Sequence, residues 1–472
     1  MIRSFLKFFY LSICCFLFFL NSSLAGVKPN SLFTDHMVLQ KGAVVPIWGT
    51  ADEGEKVTVS FNGQTLSTVA KDGKWMVKLK PMPYLTTPSS MMITGKDTVI
   101  INDVMVGEVW LCSGQSNMER QLGLRKGQQP IVDYEKERDS ADYPLIRQYY
   151  VPQKFSTEKI DDANSSWVVC SPETVAEYSA VGYFFVKNLH KKIRVPIGII
   201  FSAYGGTHAE DWTSREALAA RPELSGLIKN YDSIMAKEWR PKGALMNGLY
   251  NGMINPLLPY AIKGAAWYQG EANAGRPDQY QIILPNMIES WRRDFNCGDF
   301  AFLIVQVAPY KNLPPEIREA QLFISQKVRN SALIVTTDCG DSVDIHPPHK
   351  QPVGERLALA ALAIAYGEKI VYSGPIFKSK KIKKDKIILT FDHVGKGLTT
   401  KDSSALKGFT IAAKDKKFVS ANAVIKGKQI IVYSELVKKP AAVRYGWSNV
   451  PEVNLYNAEG LPASPFRTDS KK

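Results

Sequence analysis

A hydroxyl at the end of a buried strand, a glycine pair, two amide side chains and a histidine in an acid-rich loop follow one another along this chain. In the stretch GEVWLCSGQSNMER, strand-forming residues Val109 to Cys112 stop at Gly114, and Ser116 stands in a turn leading into a helix start. A serine hydroxyl is a weak nucleophile until a histidine takes its proton, and that histidine needs an acid or a carbonyl to hold its tautomer. Attack on an acyl carbon creates an oxyanion, held best by preorganised N–H donors such as a close-approaching glycine backbone and an Asn or Gln amide. These residue types therefore point to acyl transfer.

The elements that must position them are short apolar runs. VWLCS leads to Gly114-Gln115-Ser116, IGIIFS to Tyr204-Gly205-Gly206-Thr207, and GAAWY to Gln269-Gly270-Glu271-Ala272-Asn273. ALIVTT leads to Asp338-Cys339-Gly340-Asp341-Ser342-Val343-Asp344-Ile345-His346. Helical stretches alternate with the runs. VGYFFVKNLHKK puts Val181, Phe184, Phe185 and Leu189 on one face, PPEIREAQLFISQKV has Pro315 placed for a first turn, and VGERLALAALAIAYG ends in a glycine stop. Strands apolar on both faces and interleaved with helices imply a parallel sheet covered by helices. Ligands of such sheets bind beyond the carboxyl ends of the strands, where these residues lie. Singly, each has a plainer reading: Ser116 as a helix cap, Gly205-Gly206 as a turn, Asn273 as a loop residue, Glu271 as a structural acid, His346 as an extended loop residue before Pro347. The ordered set favours chemistry.

On either side the texture is β. From Gly26 to about Ile100, segments such as KVTVSF and KWMVKL are separated by Asn62-Gly63 and Asp72-Gly73, both short-hairpin signals. Beyond about Ile370, KIILTFDH, KGFTIAA, QIIVYS and AAVRYGW are split by Lys, Asp and Gly turns. The expected organisation is an export signal over 1–25, a sandwich-like β unit over 26–100, the α/β unit over 101–369 and a second β unit over 370–472.

Residues 1–25 begin with Arg3 and Lys7, continue in an apolar run and end in Ser23-Leu24-Ala25, the pattern of a cleaved secretory signal. An exported protein without a membrane span in its mature chain, periplasmic or extracellular if bacterial, is the expectation. Cys112, Cys170, Cys297 and Cys339 are scattered with no Cys-x-x-Cys pair, so buried thiols are expected and zinc or redox roles have little support. The net charge of +14 can favour acidic partners. Its densest run, Lys378 to Phe391, reads as a lysine-rich turn or edge strand, since no nucleic-acid motif accompanies it. If the chain is exported in a eukaryote, Asn164-Ser165-Ser166 would be a glycosylation acceptor.

GEVWLCSGQSNME, AYGGTHAEDWTS, WYQGEANA and DIHPPHKQPVGERLALAAL together resemble the sialate O-acetylesterase family, a carbohydrate-esterase branch of the SGNH hydrolases. The blocks stand in family order between about Gly107 and Leu362. The resemblance implies an SGNH-hydrolase-like, flavodoxin-like α/β fold with flanking β units, and hydrolysis of O-acetyl groups on sialic acids or related glycans without metal or organic cofactor. It implies Ser116 as nucleophile and His346 as general base. An oxyanion hole would come from the Ser116 and Gly206 N–H groups with an amide from Gln269 or Asn273. The wider superfamily places its acid three residues before the histidine, where this chain has Val343. Asp344, two before, is the nearest acid; Asp341, Asp338 or a backbone carbonyl are alternatives.

Other readings compete. Paired carboxylates among Glu108, Glu119 and Glu271 would suit glycoside hydrolysis, leaving Ser116, Gly206 and His346 without a role. Aromatic content of 11% and two β units would suit a non-catalytic glycan binder. Acetylated xylan would suit the same esterase machinery. His349 stands three residues after His346, but Pro347 and Pro348 disfavour a helical metal pair. His208, near the glycine pair, reads as a loop or substrate-contact residue, and His36, His190 and His393 read as structural.

Overall fold

The computed structural model describes residues 26–235 and 246–469; the expected export signal lies outside them. The sheet that carries the site is built on strand β1, Thr98–Gly114, flanked in sequence by β2 (Tyr143–Tyr150), β3 (Trp167–Cys170), β4 (Ile197–Ala203), β5 (Gly264–Tyr268), β6 (Ala301–Val305) and β7 (Ser331–Ile334). Their spatial order is β3-β2-β4-β1-β5-β6-β7, and all pairs are parallel except β3 with β2. With the β2–β3 edge pair set aside, β4-β1-β5-β6-β7 is the 2-1-3-4-5 order of a flavodoxin-like sheet, as the resemblance implied. Its switch point is the carboxyl end of β1, which delivers Ser116.

Alternate residues of β1 go to opposite faces because side chains alternate along a strand. Val109 and Leu111 join Trp267, Ile304, Met287 and Trp291 in one core, while Trp110 and Cys112 join Phe184, Phe185 and Leu357 in the other. The second core is covered by helices Ala180–Ile193 and Gln351–Ile364, the first by Pro277–Phe295 and Pro315–Lys327. Burying each such large apolar side chain contributes about 1.5–3 kcal/mol, which is why these runs carry no polar face.

β1 has 17 residues and runs through positions 100 and 101. Its first half pairs with Leu85–Thr94 and Val38–Gln40, so the N-terminal strands continue the central sheet and share its first core through Ile47 and Trp75. Asn62 and Gly63 both have positive φ and close the hairpin of Lys56–Phe61 with Gln64–Val69. Asp72-Gly73 closes only the single bridge Lys71–Lys74, because Lys74–Leu79 pairs instead with Val45–Thr50.

Antiparallel sheets with a core of their own, centred on Ile387, Leu389, Val432 and Phe466, fill Ile376–Arg467. The lysine-rich run forms the hairpin of Ile376–Lys383 with Lys386–Asp392, the former an edge strand. Arg467 paired with Glu319, and Tyr456 Oη donating to Asp338 at 3.1 Å, dock this unit onto the α/β unit. Cys112, Cys170, Cys297 and Cys339 are free thiols, and no helix among the described residues is long and apolar enough to cross a membrane.

Candidate active site

The turn at the end of β1 is forced by close backbone approach. Gly114 has φ +137°, and a Cβ there would stand 2.2 Å from the Tyr268 carbonyl oxygen, so only glycine lets β1 leave the sheet at this point. Ser116 then opens a one-turn helix, Ser116–Glu119. Its sequence neighbours bind each of the other strand-end segments. The buried Gln115 Oε1 accepts from the Gly270 and Ala272 N–H groups at 3.4 and 3.3 Å. Asn117 Nδ2 donates to Glu271 Oε1 at 2.7 Å and to the Ile345 carbonyl at 3.0 Å, and Asn117 Oδ1 accepts from Lys350 Nζ at 2.6 Å. Glu119 accepts from the Gly205 N–H at 2.6 Å and from Arg125 at 2.7 Å.

Gly205 is pressed against the serine: a Cβ on it would meet Ser116 Cβ at 3.2 Å and Glu119 Oε2 at 2.9 Å. Its N–H is spent on Glu119. The next residue, Gly206, has φ +74°, is exposed, and its N–H makes no hydrogen bond among the described residues. That donor is available to an oxyanion.

The two amides play different parts. Gln269 is fully buried and both its amide hydrogens are engaged, by the Thr207 carbonyl at 3.1 Å and Asn273 Oδ1 at 2.7 Å. Asn273 Oδ1 also accepts from the Ala209 N–H at 3.0 Å, and its Nδ2 donates one hydrogen to Glu210 Oε2 at 2.9 Å. Among the described residues, one hydrogen of Asn273 Nδ2 is left without a partner. Of the two amides, Asn273 is therefore the one equipped to donate to substrate, with Gln269 fixing its orientation.

His346 stands in a segment without helix or strand, tied to the serine turn through Asn117 and the preceding Ile345 carbonyl. Among the described residues the Ser116 hydroxyl and the imidazole share no direct hydrogen bond; such bonds are often long in unliganded enzymes and tighten with substrate. Asp344 Oδ1 accepts from the backbone N–H of His346 at 2.8 Å and lies 3.7 Å from Nδ1. Asp341 accepts from the Val343 and Asp344 N–H groups, and Asp338 is held by Arg356 and Tyr456. Val343, in the superfamily acid position, is 73% exposed. Asp344 is thus the carboxylate nearest the ring.

Burial holds the imidazole below its ordinary pKa, and Lys350 and Arg125 push the same way; Asp344 and Glu119 oppose them. The shift favours the neutral ring, the form a general base needs. Burial pushes Lys350 down to about 7 and Glu271 upward, each partly opposed by the other's charge.

Of the remaining candidate residues, all but His208 lie apart from this chemistry. Glu108, near the entry to the parallel part of β1, accepts from Gln40 and Tyr84, so it forms no carboxylate pair with Glu119 or Glu271. His349 is exposed, His36 pairs with Asp103, His190 contacts the Val195 carbonyl and His393 packs on Tyr372. His208 caps a short helix through Asp211 and lines a cleft of about 900 Å³ with Gly205, Gly206, Tyr231 and Arg276. Gln115, Asn117 and Lys350 carry no role in a reading of the sequence by itself, and Glu119 only that of a glycosidase carboxylate; polar types at a buried strand end are the one signal that marks the first two. A cavity of about 320 Å³ between the N-terminal strands and Asp161–Asn164 contains none of the residues named above for catalysis.

Residues 106–363 match a family model described as carbohydrate esterase, sialic acid-specific acetylesterase. The sialate O-acetylesterase of Mus musculus is 31% identical over 517 residues, covering 93% of this chain and 94% of its own length. That of Homo sapiens is 30% identical, covering 93% and 92%. A crystal structure of a carbohydrate acetylesterase from Xanthomonas citri superposes with a TM-score of 0.86 at 35% identity, covering 94% of this chain and all of that one.

Proposed function

We propose that this chain, which belongs to the carbohydrate esterase family of sialic acid-specific acetylesterases and is a carboxylic ester hydrolase, removes O-acetyl groups from sialic acids through a serine acyl-enzyme. The observation that carries the mechanism is convergence: Gln115, Asn117 and Glu119, on either side of Ser116, bind the Gly270, Ile345 and Gly205 segments respectively. Ser116 Oγ attacks the acetyl carbonyl as His346 takes its proton. The carbonyl oxygen becomes an oxyanion held by the Gly206 N–H and the free hydrogen of Asn273 Nδ2. His346 returns the proton to the sugar hydroxyl as the C–O bond breaks, and water then releases acetate by the same steps.

The cleft beside Gly205-Gly206 would seat the sugar. The sialate assignment is supported by the named mammalian relatives, each similar over most of its length. An acetylated neutral glycan is the second reading, favoured by one observation: the Arg276 guanidinium in the cleft is already engaged by the fully buried Glu210 at 2.6 Å. The pattern of residues 1–25 supports export, to be checked by the N-terminal sequence of the mature protein.

The test is acetate release from 4-nitrophenyl acetate by the parent and Ser116→Ala, followed by a panel of O-acetylated sialic acids and acetylated xylan. The esterase reading expects activity in the parent, loss in the variant, and preference for the sialic acids. A variant as active as its parent would overturn the mechanism, and preference for xylan would overturn the substrate.

A further inference from the structure

Three segments that the reaction must bring together meet at one amide side chain, that of Asn117. Asn117 is fully buried, follows Ser116 directly, and uses both Nδ2 hydrogens and its Oδ1 at once. One hydrogen goes to Glu271, in the loop that carries Asn273; the other goes to the carbonyl beside His346. The oxygen takes Lys350, which stands at the start of helix Gln351–Ile364 and whose side chain is also buried. Only an amide can donate twice and accept in this way, since a carboxylate cannot donate and a hydroxyl has one hydrogen. Burying a cation here is costly unless it is hydrogen-bonded and near an opposite charge, and Asn117 and Glu271 supply both conditions.

We propose, resting on the esterase reading above, that Asn117 and Lys350 are positioning residues: they lock the His346 loop onto the serine turn, and the Lys350 cation biases the imidazole toward its neutral, proton-accepting form. The His346 segment has no helix or strand of its own, so the Asn117–Ile345 bond takes the place of sheet or helix pairing there. The charged groups facing the imidazole are Asp344 on its own loop, Lys350 at the following helix, and Arg125 and Glu119 from the serine side. The titratable groups facing Lys350 are Glu271, Arg120, Asp344 and the Cys339 thiol, which burial keeps neutral. Lys350 and Arg125 disfavour the imidazolium, and Asp344 and Glu119 favour it. Removing Lys350 therefore raises the pKa of His346.

The experiment is the pH dependence of kcat/KM for 4-nitrophenyl acetate in the parent, Asn117→Asp, Lys350→Met and the double variant Glu271→Gln/Lys350→Met, with thermal unfolding midpoints as the check on folding. The double variant removes both buried charges together, so it stays informative if Lys350→Met alone strands Glu271 and fails to fold. Asn117→Asp keeps the shape but loses both donations; its kcat should fall about 100-fold with KM within about twofold, the cost of a small misplacement of reacting groups. In the two Lys350 variants the acid limb should move to higher pH, a shift that loss of packing alone would not produce. An unshifted limb in folded Lys350 variants, or kcat within about twofold of the parent in Asn117→Asp, would overturn the proposal. An inactive parent would instead overturn the esterase reading.

Discussion

On one side of Ser116, Gln269 and Asn273 are 0% and 1% exposed and locked to Thr207, Ala209 and Glu210 by amide hydrogen bonds. On the other, His346 and Asp344 keep side-chain exposures of 21% and 24% in a segment with neither helix nor strand. As the proposed oxyanion side, these groups are already fixed, so their dipoles would need no reorganisation when charge develops. The histidine side has no such packing around its ring: the segment is tied to the serine turn through Asn117, which holds the Ile345 carbonyl and Lys350, and to Val132 through the Pro348 carbonyl. The division suits the proposed chemistry, in which the oxyanion donors act at a fixed point while the imidazole serves first the serine, then the leaving sugar, then water.

The contrast is open to direct attack. Asn273→Ala removes the fixed donor and should lower kcat about 10²–10³-fold with little change in KM, read by steady-state kinetics on 4-nitrophenyl acetate. Asp344→Asn should cost less, because its carboxylate lies 3.7 Å from Nδ1 and its nearer bond goes to the backbone N–H, unlike a triad acid bonded to the ring. Losses of equal size would erase the distinction between a fixed and an adjustable side. The smallest effect is on pH. His346 is held below the ordinary imidazole value, so kcat/KM should rise through a limb lying below that value and stay level above it. Asp344 favours the protonated ring, so Asp344→Asn should move the limb to still lower pH, opposite to the Lys350 variants.

The same contrast explains what could be read from the chain by itself. Strands buried on both faces read as uninterrupted apolar runs, so VWLCS, IGIIFS, GAAWY and ALIVTT, and the residues after them, are visible without coordinates. The β2–β3 edge pair was not, because YPLIRQYY alternates only weakly and its partner Trp167–Cys170 is short. Nor was the continuity of β1 through position 100, which depends on partners in both units. Lys350 follows Pro347-Pro348-His349 and looks like a solvated lysine. Its burial comes from Asn117, 233 residues away, and Asn117 reaches Glu271 and Ile345 across 154 and 228. Side chains held by long-range hydrogen bonds leave no local pattern, whereas Ser116, the glycine pair and His346 are marked by the strand ends they follow.

The account stands on Ser116 and His346 acting as one unit. A double-mutant cycle on kcat for 4-nitrophenyl acetate, with Ser116→Ala, His346→Ala and both together, tests this most directly. Each single change should cost about 10⁴-fold or more, and the pair no more than the worse single change, as for groups that share one step. Losses that multiply, or a His346→Ala enzyme within about tenfold of its parent, would mean that the histidine does not serve the serine.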